Sequence, residues 1–221
     1  IELPIQQVVP ISQTQSRQQQ QLGQHDFVVG AFGFWQSHKG YHKLLETMND
    51  VMLKMNGRTT RYVLLGHYDE KSMYYRDTVT PYRVQMQNDL LRIDNVFLPY
   101  EEVINRIAAF DVVVFPYEVI MHSSASAALR TGLSTGVPTV CSTSPMFSEF
   151  EDGKYVLKYR AGETQELIEQ IVRAGTDEAM QTTLRKNTNL YVREHAPVKV
   201  AQRHEQLYLS LIDANEKDAS K

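Results

Sequence analysis

Residues 111–138 read DVVVFPYEVIMHSSASAALRTGLSTGVP, and this stretch decides the fold. Four consecutive apolar residues, Val112, Val113, Val114 and Phe115, are stopped by Pro116, the pattern of a short, fully buried strand and its end. A loop follows, then small and apolar residues at helical spacing (Ala125, Ala127, Ala128, Leu129, Leu133), then Gly136 and a second apolar run, Thr139-Val140-Cys141. The order is strand, loop, helix, strand. Ser123 and Ser124 are expected to cap the helix and Gly136 to end it in a left-handed conformation. A helix that starts beyond the carboxyl end of a buried strand offers unpaired N–H groups and partial positive charge to an anion. In open α/β sheets, ligands bind at that edge. Ser123 and Ser124 are therefore candidate phosphate ligands as well as caps.

The same alternation extends outward. FVVGAFGF, from Phe27, predicts a buried strand in which Gly30 and Gly33 allow close backbone approach, and the polar turn Gln36-Ser37-His38-Lys39-Gly40 follows it. Leu44, Leu45, Met48, Val51, Met52 and Met55 then mark one face of a helix closed by Gly57, with the methionines as core. Tyr62-Val63-Leu64-Leu65-Gly66 is a second strand, followed by a polar helical segment over 70–91 that is interrupted near Pro81. Asn95-Val96-Phe97-Leu98 is expected as the third strand, and residues 101–110 as a short amphipathic helix with Val103, Ile104, Ile107 and Ala108 inward. After Cys141, residues 155–157 read as the last strand, and 162–173, 177–194 and 197–214 as helices in series. Strands alternating with helices call for an α/β fold, a Rossmann-like parallel sheet with helices on both faces. Residues 1–25, rich in glutamine and poor in core material, are expected to be a linker or remnant of a preceding domain, with 8–11 as a short strand. Residues 26–195 then form the domain, and 196–221 a helix and tail that cross toward the missing domain, presenting Val200, Leu207 and Leu211.

Composition bounds the function classes. At 221 residues, with 42% hydrophobic and 22% charged residues, the chain has the make-up of a soluble globular protein that can bury a generous core. A net charge of −3 gives no electrostatic case for nucleic acid, and no apolar run reaches the ~18 residues of a membrane span. Cys141 is the single cysteine, which excludes an internal disulfide and favours a reducing compartment; its place in an apolar run predicts a small buried residue. Histidines and acids are scattered without ligand spacing, so no metal is expected.

Taken together, GAFGF, HKG, the strand ending at Gly66, FLPYEEVINRIAAFDVVVFPY, the small-residue helix ending TGVP and CSTSPMFSEFEDGKYVL resemble the carboxy-terminal, donor-binding half of retaining glycosyltransferases of the GT-B fold, the group that includes bacterial mannosyltransferases. The resemblance covers about residues 26–195 and implies one half of a GT-B fold. It implies an enzyme that transfers a hexosyl group, with retention, from a nucleotide-sugar substrate to a glycan or lipid-linked acceptor carried by a missing amino-terminal domain. No separate cofactor is implied. The setting would be polysaccharide biosynthesis in the cytoplasm, with peripheral association of the full protein at the inner face of the membrane.

By the same resemblance, Lys39 contacts the donor diphosphate, with Gly33, Ser37, His38, His122, Ser123 and Ser124 around it. Chemically, an ammonium beside helix N-termini can neutralise a departing nucleoside diphosphate. Where the family often has an arginine five residues before that lysine, this chain has Phe34. The family's two glutamates, eight residues apart, fall on Ser123 and Thr131, so Glu118 and Glu149 become the candidates to reach the sugar and Thr131 to meet the ribose. Leu98, Pro99 and Tyr100 occupy the loop expected at the base, with Tyr100 placed to stack. Two other readings compete: a non-catalytic module that binds a nucleotide-sugar or a protein partner, and a GT-B nucleotide-sugar epimerase.

Overall fold

The computed structural model describes residues 3–55, 57–119 and 125–219, by backbone alone beyond Ile212. In chain order its elements are α1 (Gln13–Gln19), β1 (Phe27–Phe32), α2 (Tyr41–Glu46), α3 (Met48–Lys54), β2 (Thr60–Gly66), α4 (Met73–Val79), α5 (Arg83–Gln87) and β3 (Leu91–Asn95). They continue with α6 (Tyr100–Ile107), β4 (Val112–Phe115), α7 (Ala127–Ser134), β5 (Thr139–Ser142), β6 (Leu157–Tyr159), α8 (Thr164–Thr176), α9 (Glu178–Glu194) and α10 (Pro197–Ala219). The strands form one parallel six-stranded sheet in the order β3-β2-β1-β4-β5-β6. The chain thus winds outward from β1 to β3, returns to lay β4 on the other side of β1, and winds outward again. This is the expected Rossmann-like parallel α/β fold.

Both faces of the sheet are buried, as the unbroken apolar strands require. Successive side chains point to opposite sides. Val29 and Ala31 join Leu64, Val114, Val140 and the inner faces of α2, α3 and α8, while Val28 joins Val63, Val113, Phe115, Cys141 and the inner faces of α6 and α7. Cys141 is buried, and burial pushes its thiol far above the ordinary cysteine range.

Several expectations are corrected. The third strand is Leu91–Asn95, not residues 95–98, and pairs Tyr62 with Leu91 through Gly66 with Asn95. It is an edge strand, and Arg92 and Asp94 alternating with Leu91 and Ile93 hid it among polar residues. The last strand lies two residues later than expected, at Leu157–Tyr159. The methionine-striped helix breaks in two at Thr47, whose hydroxyl turns back to the Leu44 carbonyl (2.6 Å) and meets the Tyr62 hydroxyl (2.9 Å). The interruption at Pro81 is present as a 3₁₀ turn between α4 and α5. Gly136 follows α7 in the left-handed conformation (φ +72°), as expected.

The amino-terminal segment expected as a linker is packed. A capping box at Ser12 and Gln15 starts α1, and Ile5 and Leu22 are buried among the apolar residues beneath α6 and α7. No strand forms at residues 8–11, where Val9 is exposed. Arg17, its side chain 3% exposed, donates to the Ala109 carbonyl (3.0 Å), the Gln24 carbonyl (2.7 Å) and the Asp111 carboxylate (2.7 Å). The same Asp111 oxygen accepts the Val28 N–H (2.7 Å), so this pair joins α1 to the amino ends of β1 and β4. In α10, Val200 is buried, whereas Leu207 and Leu211 are exposed. Among the described residues no helix is long and apolar enough to cross a membrane.

Removing one partner of a buried, hydrogen-bonded ion pair strands the other charge, which costs about 3–5 kcal/mol. Asp111 keeps the Val28 N–H and Arg58 (3.6 Å) when Arg17 is lost. Arg17→Ala is therefore expected to destabilise the whole domain by less than that, about 1–3 kcal/mol, read from the urea midpoint. A change within error would show that the Arg17 pair does not hold α1 to the domain.

Candidate functional site

β1 and β4 are neighbours in the sheet although three helical connections separate them in sequence, so the loops leaving their carboxyl ends part around a crevice. After β1 the chain turns at Gly33 and Trp35, takes one 3₁₀ turn at Ser37–Lys39, and enters α2 through Gly40 in the left-handed conformation (φ +68°). After β4 it runs Pro116-Tyr117-Glu118. The two loops are in direct contact. A β-carbon on Gly40 would fall 1.9 Å from the Pro116 carbonyl oxygen, and the Glu118 N–H donates to the His38 carbonyl (2.9 Å).

This contact lays the Lys39 ammonium on the Tyr117 ring, 3.9 Å from its centroid. Burial lowers the Lys39 pKa to about 8 and pushes the Tyr117 hydroxyl up to about 12, the nearby Ser126 hydroxyl opposing the second shift. His38 is lowered by burial and then by Lys39, with Glu118 acting in the other direction. Ser126 caps α7, its hydroxyl accepting the Leu129 N–H (3.2 Å). The helix thus begins after the expected Ser123 and Ser124, because Ser126 supplies the capping oxygen. The remaining N–H groups of its first turn have no intrahelical acceptor.

The β1 loop reaches that turn. A β-carbon on Gly33 would lie 3.9 Å from the Ala128 β-carbon and 3.2 Å from the Tyr41 hydroxyl, which is fully buried and has no hydrogen-bond partner among the described residues. Gly33, Lys39, Tyr117 and the start of α7 therefore face one small region of the sheet's carboxyl edge. A desolvated ammonium, a helix start and a glycine that bares the backbone suit an anion.

Ser37 and His38 lie in the 3₁₀ turn of the same loop. His122, Ser123 and Ser124 lie outside the described residues. Glu118 is half-exposed at the rim, 3.3 Å from His42, whose other ring nitrogen meets the Tyr74 hydroxyl (3.2 Å). Glu149 has a different setting. It pairs with the buried Arg130 (2.5 Å) and accepts from the Tyr191 hydroxyl (3.1 Å), so it neutralises a cation where α7 meets α9. Thr131 donates to its own helix at the Ala127 carbonyl (3.1 Å). The Tyr100 hydroxyl lies 3.3 Å from both Ser134 Oγ and the Gln6 carbonyl, so its ring is fixed against α7, while Pro99 precedes α6 as an exposed cap.

Three aromatic residues at the site were given no role there by the sequence: Tyr117, Phe34, noted only as a departure from the resemblance, and Phe97, expected in a strand. Tyr117 was marked only by its place directly after the strand-ending Pro116. Phe34 and Phe97 flank an apolar cavity of about 240 Å³ over the ends of β1 and β2, floored by Gly33 and Gly66 and walled by Leu65 and Leu98. Gly66 is required there, since a β-carbon would fall 1.9 Å from the Gly33 carbonyl oxygen. Trp35 packs beside this region on Tyr41, Tyr68 and Tyr75, with ring centroids 4.8, 5.8 and 5.3 Å away.

No protein-family model matches the sequence, and no curated protein matches it. Solved structures do. The sucrose-phosphate synthase of Thermosynechococcus elongatus is similar over 97% of this chain and 52% of its own, with a TM-score of 0.77 and 19% identity. The C-terminal domain of a glycosyl transferase group 1 family protein of Francisella tularensis matches 86% of this chain and 96% of its own, at a TM-score of 0.71 and 12% identity. Anabaena HepE, solved in complex with UDP-glucose, matches 92% of this chain and 54% of its own, at a TM-score of 0.73 and 18% identity. The chain spans about half the length of the synthase and of HepE, and at these identities the likeness is one of fold.

Lys39 titrates at about 8 in the folded chain against 10.5 when unperturbed, so between those values the unfolded chain holds the extra proton. Burial of Lys39 thus costs stability below about pH 8, and stability rises with pH across that window. An anion beside Lys39 reverses the shift. Binding of sulfate, an anion that does not itself titrate near pH 8, is expected to take up protons at that pH, read by calorimetry as an enthalpy that varies with the ionisation enthalpy of the buffer. Lys39→Met should abolish the variation; a buffer-independent enthalpy in the unmodified chain would place the anion elsewhere.

Proposed function

We propose that this chain is the donor-binding half of a glycosyltransferase that moves a sugar from a nucleoside diphosphate to an acceptor, with Lys39 and the start of α7 holding the diphosphate. The observation that carries the reading is the meeting of Lys39, Tyr117, Gly33 and the first turn of α7 at the crevice between β1 and β4. The fold supports it, because the carboxyl edge at such a crossover is where α/β sheets take ligands, and a structure of the same fold holds UDP-glucose.

The chemistry follows from charge. As the bond from the sugar's anomeric carbon to the diphosphate oxygen lengthens, negative charge collects on the phosphates. A preorganised cation and helix amides held in a partly dry site stabilise that charge more than the ground state. Glu118, at the rim and aligned by His42, is the carboxylate assigned to the transferred sugar. Retention of configuration, a hexosyl group, a glycan or lipid-linked acceptor brought by an amino-terminal domain, and work at the cytoplasmic face of a membrane complete the reading.

One observation favours the non-catalytic reading. Glu149 is committed to Arg130, Thr131 to its own helix, and Glu118 is paired with His42, so each of these candidates already has a partner within the chain. Calorimetry with UDP-, GDP- and ADP-sugars separates the two. Weak binding of at least one donor, lowered about tenfold or more by Lys39→Ala in line with loss of a charge-assisted contact, is the expected result. Binding that ignores Lys39→Ala would sink the site, and no binding of any sugar nucleotide would favour a partner-binding module.

A further inference from the structure

We infer that Phe34 and Phe97 form an aromatic clamp for the donor's nucleobase, so that this site grips the base by its faces and discriminates little among bases. The inference rests on the donor-binding reading and deepens it.

Phe34 stands in the loop after β1 and Phe97 in the loop after β3, and each ring is exposed, Phe34 by 52% and Phe97 by 84%. Their planes are within 23° of parallel and their centroids are 6.4 Å apart. Direct aromatic pairs have centroids about 4.5–7 Å apart, so this pair is at the wide end, and a small rotation of the exposed Phe97 opens a slot between the rings. Phe34 is the only ring partner of Phe97 among the described residues. A flat ligand between them would remove both exposed faces from water.

The cavity behind the rings selects the same occupant. At about 240 Å³ it is smaller than the ~300–1,000 Å³ of pockets that enclose whole ligands, so it holds one heteroaromatic ring system. Its walls are mostly apolar, with Leu65, Leu98, Phe32, Val96 and Val103 offering no side-chain hydrogen bonds, which disfavours the phosphates. The Tyr100 hydroxyl is engaged by Gln6 and Ser134, so the base edge meets the backbone and His67 at the rim. His67 is itself held by Asn95 (3.0 Å). Gly33 closes the cavity on one side and faces the first turn of α7 on the other, so a nucleotide with its base in the slot runs its phosphates toward Lys39.

Stacking on aromatic side chains is worth about 1–3 kcal/mol per base and tolerates any base, because every base has a π-face. Titration of the 221-residue chain with UDP, GDP, ADP and inorganic pyrophosphate, repeated on Phe97→Ala, Phe34→Ala and Phe97→Trp, tests the clamp. The expected result is dissociation constants for the three nucleotides within about tenfold of each other, the purines tighter. Each alanine variant should weaken all three by about fivefold to a hundredfold while leaving pyrophosphate unchanged, and Phe97→Trp should restore affinity. Alanine variants that bind nucleotides like the parent, or a preference above a hundredfold for one base, would overturn the clamp with the donor site intact. Pyrophosphate bound as tightly as the nucleotides would also overturn it, leaving an anion site without a base subsite. Failure of all four ligands to bind would remove the donor-binding reading and the clamp together.

Discussion

The site depends on one steric contact, the approach of Gly40 to the carbonyl of Pro116. Only a residue without a β-carbon, able to adopt a positive φ, allows the loop after β1 to lie against the loop after β4. The hydrogen bond from Glu118 to His38 fixes the register of the two loops. Lys39, one residue before the glycine, is thereby set on Tyr117, one residue after the proline. The contact exists because the sheet order brings β1 beside β4, and that order is dictated by strands that need both faces covered.

Within the site two effects compete for Lys39. The face of Tyr117 attracts the ammonium, an interaction worth about 0.5–2 kcal/mol, while partial burial penalises its charge. Burial lowers its pKa to about 8. The unpartnered hydroxyl of Tyr41 beneath Gly33 is a second group held at a cost. Both groups are held at a cost to the stability of the fold, as groups at ligand-binding edges often are. The opposite edge of the sheet shows the contrary arrangement, with Arg17 and Asp111 fully engaged.

Much of this was legible in the residues, and the failures have physical reasons. Apolar runs such as Val112 to Phe115 identify buried strands because the run is too short for a helix and is closed by a proline. The edge strand was missed because its outward positions carry Arg92 and Asp94, so the apolar run that followed, in fact the loop with Phe97, looked more like a strand. Glutamines hid α1, whose hold on the domain is polar: a capping box, Arg17, and side-chain bonds from Gln13 and Gln20 to the α6 segment. At the site, Lys39 and Gly33 were identifiable from their place after β1. Glu149 was misleading, since nothing local announces its partner Arg130, nineteen residues earlier. Tyr117, Phe34 and Phe97 are aromatic residues whose meaning depends on which loops the topology brings together.

The position of Trp35 carries a practical consequence. It is the chain's single tryptophan, and it packs on Tyr41 and against the stacked pair Tyr68 and Tyr75, in the same loop that holds Lys39. Its indole nitrogen is buried without an acceptor among the described residues, so any shift of that loop alters the polarity around the ring. The protein therefore carries an intrinsic fluorophore at the rim of its own crevice. Emission from the unlabelled chain reports on this loop alone, without a signal from any other indole.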